Sequence, residues 1–446
     1  MKIDLKYGRH GLQVELPDKK ISEVFRTKNM PAIERPLEKL RYCLENPIAS
    51  PPLSEIAVGK RDACIVVSDI TRPVPNAVLL PPLIDMLERA GMAAERIRLL
   101  VATGIHREPT DTELLEMLGD KIVARHQVFV HDARDPSRLI RIGYSSRQTP
   151  IDINRTYIES DMKIVTGLVE PHFMAGYSGG RKSVAIGLTS VESVRHLHGP
   201  KFLEHQGSSN CQLQNNPLHR EITEIALLAG IDFCVNAVIN AERRVAGIFC
   251  GDAVQSHNSA CEFARRYCVV HVDKPFDIVV TTGAGYPLDT TYYQAIKGLV
   301  GSLGILSPQG GIILASECSN GLGSDDFRHV LQNLRNVKDY DRFLAHISVP
   351  DNFAIDQWEV EMLIKALRRG KIFLFSEGIP EHDWSLTFAT KIKSVEDGIS
   401  HAATTRGGHP RIAVIPEGPY VIPFADNIAM EDSRRSSSES GTYCTD

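Results

Sequence analysis

MKIVTGLVEPHFMAGYSGGRK, residues 162–182, decides the fold. It opens with an apolar run, MKIV, and continues into a loop of glycines and a histidine that ends on Arg181 and Lys182. Continuous Val- and Ile-rich runs suit strands buried on both faces, as in a parallel sheet. The same pairing of run and loop recurs along the chain. CIVV (64–67) leads into SDITRP (68–73), IRLLVA (97–102) into TGIHREPT (103–110), and DIVVT (277–281) into TGAGYPLDTTYYQAIKG (282–298). Further runs lie at 311–315, 371–375 and 411–415. Helical patterns separate them, such as PPLIDMLERAGM (81–92) and TDTELLEMLGDKI (110–122), where Thr110 and Glu113 have the spacing of a capping box. This alternation predicts an α/β protein: two α/β domains with largely parallel sheets flanking an inter-domain active-site cleft.

The proline turn VDKPFD (272–277) sets the expected boundary. A first domain is expected over 1–272, completed by a late strand at about 405–426, and a second over 273–400. The serine-rich end, 427–446, is expected to be a disordered tail.

Composition narrows the setting. The 446 residues are 43% hydrophobic and 24% charged, with a formal net charge of −5 and no polybasic block. Neither nucleic acid nor an anionic membrane is an expected partner. No apolar stretch reaches the roughly 20 residues of a membrane helix, and the opening MKIDLKYGRHGLQVELP lacks the pattern of a secretory signal. Nine cysteines without a CxxC pair favour reduced thiols and a cytoplasmic location.

Ligands of open α/β sheets bind beyond the carboxyl ends of the strands. The loops there present Asp69, Arg72, His106, His172, Lys182 and Gln294, a mixture suited to a cleft that holds an anion and moves protons. Each has a plainer role available: Asp69 and Arg72 as a local turn and ion pair, the histidines as backbone partners, His198 as a cation at a helix end. The glycine loop is not a Walker A motif, because Arg181 separates Gly180 from Lys182. The amides of Ser178, Gly179 and Gly180 could still cradle an anion, with Arg181 adding charge. No HExxH occurs, and His172 and His198 have no third ligand close in sequence.

Taken together and in order, SDITRP, GIHREPT, PHFMAGYSGGRK and HLHG resemble the loops of the lactate racemase family, over roughly residues 5–425. The resemblance implies a nickel-pincer nucleotide bound covalently at Lys182. Sixteen residues further on, His198 falls on the position of the nickel ligand. It further implies His106 and His172 as the two acid/base residues, Arg72 as the holder of the substrate carboxylate and Asp69 as a cofactor contact. Tyr293, Gln294 and Lys297 fall on cofactor and substrate positions, and Trp358 on a cleft tryptophan. Such a protein inverts C2 of a 2-hydroxy acid by reversible hydride transfer through a 2-keto acid, and depends on cofactor-synthesis enzymes for loading. The substrate is open between short acids and sugar acids, and Asp289 with its neighbouring hydroxyls leans toward the longer, more polar ones. Two alternatives stand beside this expectation: a non-catalytic binder or carrier of the nickel nucleotide, and a zinc-dependent hydrolase with a phosphate subsite.

Overall fold

The computed structural model describes residues 1–16, 21–404 and 409–425; the expected tail at 427–446 lies outside them. The chain divides into two compact units. The first comprises Asn29–His198 and Gly207–Tyr267, the second Met1–Lys28, Gly199–Gln206 and the chain from Cys268 onward.

In the first unit, β1 (Ala63–Ser68), β2 (Ile97–Ala102), β3 (Gln127–Val130), β4 (Met162–Leu168), β5 (Phe233–Ile239) and β6 (Val245–Gly251) form one sheet in the order β6-β5-β4-β1-β2-β3. All neighbours are parallel except β5 and β6. The register sets Ile65 against Leu99 on one side and Ile164 on the other, and all three are fully buried. Burying each such side chain contributes about 1.5–3 kcal/mol, so truncating Ile65 to alanine at the sheet's centre would cost about 2–5 kcal/mol.

In the second unit, β7 (Phe276–Thr282), β8 (Leu306–Ala315), β9 (Gly370–Phe375), β10 (Thr390–Lys391) and β11 (Ile412–Val414) join the strand Ile21–Val24 in a parallel sheet of order β10-β9-β8-β7-β11-(Ile21–Val24). This pairing corrects the expected completion of the N-terminal domain by residues 405–426. Ile412 and Val414 pair with Ile278 and Val280 of β7, and Ile422–Ala425 pairs with Val269–Val272. The two ends of the chain therefore both contribute strands to the second unit.

Each Val/Ile-rich run named from the sequence coincides with a strand, the one at 411–415 over Ile412–Val414. The expected capping box forms: the Glu113 N–H donates to Thr110 Oγ1 at 3.3 Å, and the Thr110 N–H donates to Glu113 Oε2 at 2.8 Å. The helix it starts stops at Leu118, because Gly119 takes φ +83°, and a separate helix runs over Asp120–Arg125. Eight described cysteines are buried and none of them forms a disulfide. No helix among the described residues is long and apolar enough to cross a membrane.

Candidate active site

Three loops at the carboxyl ends of β1, β2 and β4 carry the candidate residues of the first unit. Asp69, the residue after β1, is buried and folds back on its own loop. Its Oδ1 accepts the Thr71 N–H at 3.2 Å and the Thr71 hydroxyl at 2.6 Å, an Asx-type turn. Its Oδ2 lies 2.6 Å from Nδ1 of His106 in the loop after β2. Burial alone would raise the Asp69 carboxyl. The hydrogen bond and charge from His106, helped by Thr71 and Arg72, nevertheless hold it below the usual carboxylate range. A carboxylate at Nδ1 keeps the ring proton on that nitrogen and leaves Nε2 as the basic one. Both oxygens of Asp69 are thus engaged by protein groups, so its first partner is a base rather than a ligand.

His172 follows Pro171 in a two-residue strand paired with Gly176–Tyr177. Its Nδ1 accepts the amide N–H groups of Met174 and Ala175, both at 3.2 Å. The neutral ring therefore carries its proton on Nε2, which stands 2.5 Å from Lys182 Nζ.

The loop that aims Lys182 depends on its glycines. Gly179 and Gly180 have φ of +77° and +51°, and a Cβ on Gly180 would stand 2.7 Å from the His257 ring. The Ser178 N–H donates to the Glu170 carbonyl at 2.9 Å, and its hydroxyl donates to the Leu168 carbonyl at 2.7 Å. Ser178 is thereby removed from the expected anion cradle, because its donors close the loop on itself. The Gly179 and Gly180 amides meet no acceptor among the described residues. Arg181 also departs from expectation. Its side chain is buried, and its Nη2 donates to His257 Nδ1 at 2.9 Å, while His257 Nε2–H donates to the Ser178 carbonyl at 2.8 Å. Burial, reinforced by the charge of Arg181, pushes His257 down to about 3 and His219 to about 4, so both rings stay neutral beside the guanidinium. Nothing in the sequence pointed to His219 or His257, which lie far along the chain.

His198 closes the helix Val191–Leu197, which Ser190 caps by accepting the Ser193 N–H at 3.1 Å. Its Nδ1 donates to the Val194 carbonyl at 3.0 Å, which fixes the tautomer and puts the lone pair on Nε2. Burial lowers its pKa to about 4. A buried, neutral imidazole of fixed tautomer is the chemistry of a nitrogen ligand to nickel or another borderline metal. Among the described residues no three His, Cys, Asp or Glu side chains converge to hold a metal ion. The three protein ligands of a catalytic zinc are therefore not assembled among them, whereas one imidazole fits a metal whose other ligands arrive with a cofactor.

Arg72 Nη1 donates to Glu170 Oε1 at 2.6 Å, a pairing the sequence does not announce. In the second unit, Thr291 caps the helix Tyr292–Ser302 and places Tyr293, Gln294 and Lys297 on it. Lys297 Nζ donates to Gln294 Oε1, and Trp358 Nε1–H donates to Tyr293 Oη at 2.8 Å. Glu359, next to Trp358, is buried, which pushes its carboxyl up to about 8 against the lowering effect of Lys297. Asp289 is fully buried, and its Oδ2 accepts the Gly8 N–H at 2.7 Å and the Glu317 N–H at 3.3 Å. It holds the loop together, which removes its support for a longer, polar substrate.

A model of the lactate racemase N-terminal domain matches residues 7–210, and one of the lactate racemase C-terminal domain matches residues 272–423. A lactate racemase of Thermoanaerobacterium thermosaccharolyticum is 32% identical over 423 residues, covering 94% of this chain and 98% of that protein. One of Lactiplantibacillus plantarum is 31% identical over 427 residues, covering 94% and 99%. The structure of the Thermoanaerobacterium lactate racemase apoprotein aligns with a TM-score of 0.87 at 32% identity over 95% of this chain and all of that one. A crystal structure of a protein from Thermotoga maritima, at 19% identity and a TM-score of 0.60, shares the fold.

Proposed function

The chain belongs to the lactate racemase family, and from that premise we propose that it inverts C2 of a 2-hydroxy carboxylic acid with a nickel-pincer nucleotide held at Lys182 and His198. The observation that carries this proposal is the company of three unlike devices in the first unit: a base with its carboxylate (His106 and Asp69), an imidazole poised against an amine (His172 and Lys182), and a buried neutral ligand (His198).

When bound, the nucleotide supplies a reversible acceptor for the C2 hydrogen together with its electron pair. The rest falls to the protein. Nε2 of His106 takes the hydroxyl proton of one enantiomer, with Asp69 stabilising the charge that develops on the ring. His172 is the proposed acid/base residue for the opposite enantiomer; to accept a proton at Nε2 its ring must first move the Nε2 proton to Nδ1, away from the Met174 and Ala175 amides. Acylation of the Lys182 nitrogen would remove its basicity and release His172 from the contact it now makes. Two bases are needed because the hydroxyl proton of the two enantiomers leaves toward opposite sides, and the intervening 2-keto acid must turn between them. Arg72 holds the carboxylate as the pivot of that rotation. Lys297, Gln294, Tyr293 and Trp358 are proposed as further substrate and cofactor contacts, on the resemblance to the family alone. The Gly179 and Gly180 amides are the proposed phosphate donors, and Arg181 supports their loop from behind. A carrier of the nucleotide would have no work for the His106–Asp69 pair or for Arg72.

The test is loading. The protein is expressed with cofactor-synthesis enzymes and nickel, its intact mass is measured under denaturing conditions, and bound metal is quantified. An adduct that maps to Lys182 with about one nickel per chain supports the proposal, and a short acid such as lactate is then the first substrate to offer. A folded protein with neither adduct nor nickel, under conditions that load a relative, refutes it.

A further inference from the structure

A guanidinium has two edges that bind a carboxylate with a pair of N–H groups: the end formed by Nη1 and Nη2, and the side formed by Nε and Nη2. In Arg72 the first is compromised, because Nη1 is committed to Glu170 Oε1 at 2.6 Å. The remaining nitrogens of Arg72 have no side-chain acceptor among the described residues. The pair is partly sheltered, with side-chain exposures of 30% and 25%. Glu170 is itself anchored at the backbone, where its N–H donates to Ser178 Oγ at 3.1 Å and its carbonyl accepts the Ser178 N–H at 2.9 Å. Arg72 is tied from the other side, its N–H donating to the Asp69 carbonyl at 3.2 Å in the loop that also holds His106.

We propose that Glu170 is the positioning residue that turns the Nε–Nη2 edge of Arg72 toward the substrate carboxylate, and so fixes where C2 and its hydroxyl stand relative to His106. The inference rests on the 2-hydroxy acid proposal above. Glu170 touches no reacting atom; it acts through Arg72 alone. A carboxylate approaching the Nη1–Nη2 end would have to displace Glu170.

The experiment compares Glu170→Ala and Glu170→Gln in the loaded protein, with nickel content and thermal midpoint measured alongside. Glu170→Gln keeps an acceptor oxygen for Nη1, whereas Glu170→Ala removes it. Loss of a hydrogen bond to a charged group predicts a KM for the 2-hydroxy acid raised roughly tenfold to a hundredfold in Glu170→Ala, with kcat changed by less than about threefold, and a KM within about threefold of wild type in Glu170→Gln. Calorimetric titration with oxamate, an unreactive short monocarboxylate, gives a readout apart from turnover and should follow the same order. An unchanged KM in Glu170→Ala, a loss confined to kcat, or a Glu170→Gln as impaired as Glu170→Ala each overturns the inference while leaving the racemase proposal standing. Failure of the loaded wild type to invert any 2-hydroxy acid defeats the racemase proposal instead, and the oxamate series then decides Glu170 alone, with no binding by wild type overturning both.

Discussion

Asp69→Asn isolates the orientation of His106 from the rest of the site. The Thr71 N–H and hydroxyl both point at Oδ1, so they select the amide oxygen of the new side chain for that position. The amide nitrogen then occupies the place of Oδ2, 2.6 Å from His106 Nδ1. A donor there forces Nδ1 to accept, and the ring proton moves to Nε2, where a base is required. Losing one charge-assisted hydrogen bond of about 1.5–3 kcal/mol lowers kcat/KM by roughly 10- to 150-fold. Enantiomers have equal free energies, so the loss must be the same in both directions, which chiral chromatography of either starting acid measures. Nickel content and thermal midpoint should stay at wild-type values. The Asp69 pKa is lowered in the fold, so its orienting charge is present above the usual carboxylate range and is lost only as pH falls through the lowered value. The acid limb of the wild-type rate profile therefore does not belong to Asp69. A variant within about threefold of wild-type kcat/KM would refute this reasoning.

Other changes test separate parts. His198→Ala should retain the fold and lose most bound nickel, since the buried imidazole is the nitrogen ligand proposed from the chain; metal analysis at wild-type stoichiometry would remove that role. Gly180→Ala must place an alanine at φ +51° with its Cβ 2.7 Å from the His257 ring, and is expected to cost roughly 1–3 kcal/mol in denaturant unfolding and to reduce adduct formation at Lys182. Burial lowers His131 and His219 from 6.5 to about 4, and His257 to about 3. Because the unfolded chain binds these protons first, stability should be full above pH 6.5 and fall as the pH drops from there toward 4, a trend that urea midpoints across that range would reveal.

The fold was largely legible because parallel strands buried on both faces write themselves as continuous Val/Ile runs, as at 64–67 and 277–281. Strands with other company were missed. Gln127–Val130 is an edge strand whose residues are exposed or half-buried, Phe233–Ile239 is interrupted by Asn236, and Val245–Gly251 is an antiparallel edge with two glycines. The destination of Ile412–Val414 was also hidden, since sequence marks a strand but not its neighbour. In the site, the loops after the strands put Asp69, Arg72, His106, His172 and Lys182 at the carboxyl edge of one sheet, as their order in the sequence implies. What each touches was not readable. Glu170 stood inside the decisive stretch, yet its partner Arg72 is 98 residues away. Arg181 looked like part of an anion cradle, but the helical backbone at that position, φ −55° and ψ −28°, goes with a side chain buried against His257. Asp289 looked like a polar lure for substrate and is instead a buried loop clamp.

The central claim is that the C2 hydrogen leaves and returns without reaching solvent, while His106 and His172 handle only the hydroxyl proton. Loaded protein incubated in ordinary water with one enantiomer of lactate deuterated at C2 tests it directly, through the isotope content of the inverted product. Retention of the deuterium in that product is the expected result. Inversion with washout of the label into water would mean that C2 is deprotonated, and would contradict the proposed acid/base roles of both histidines.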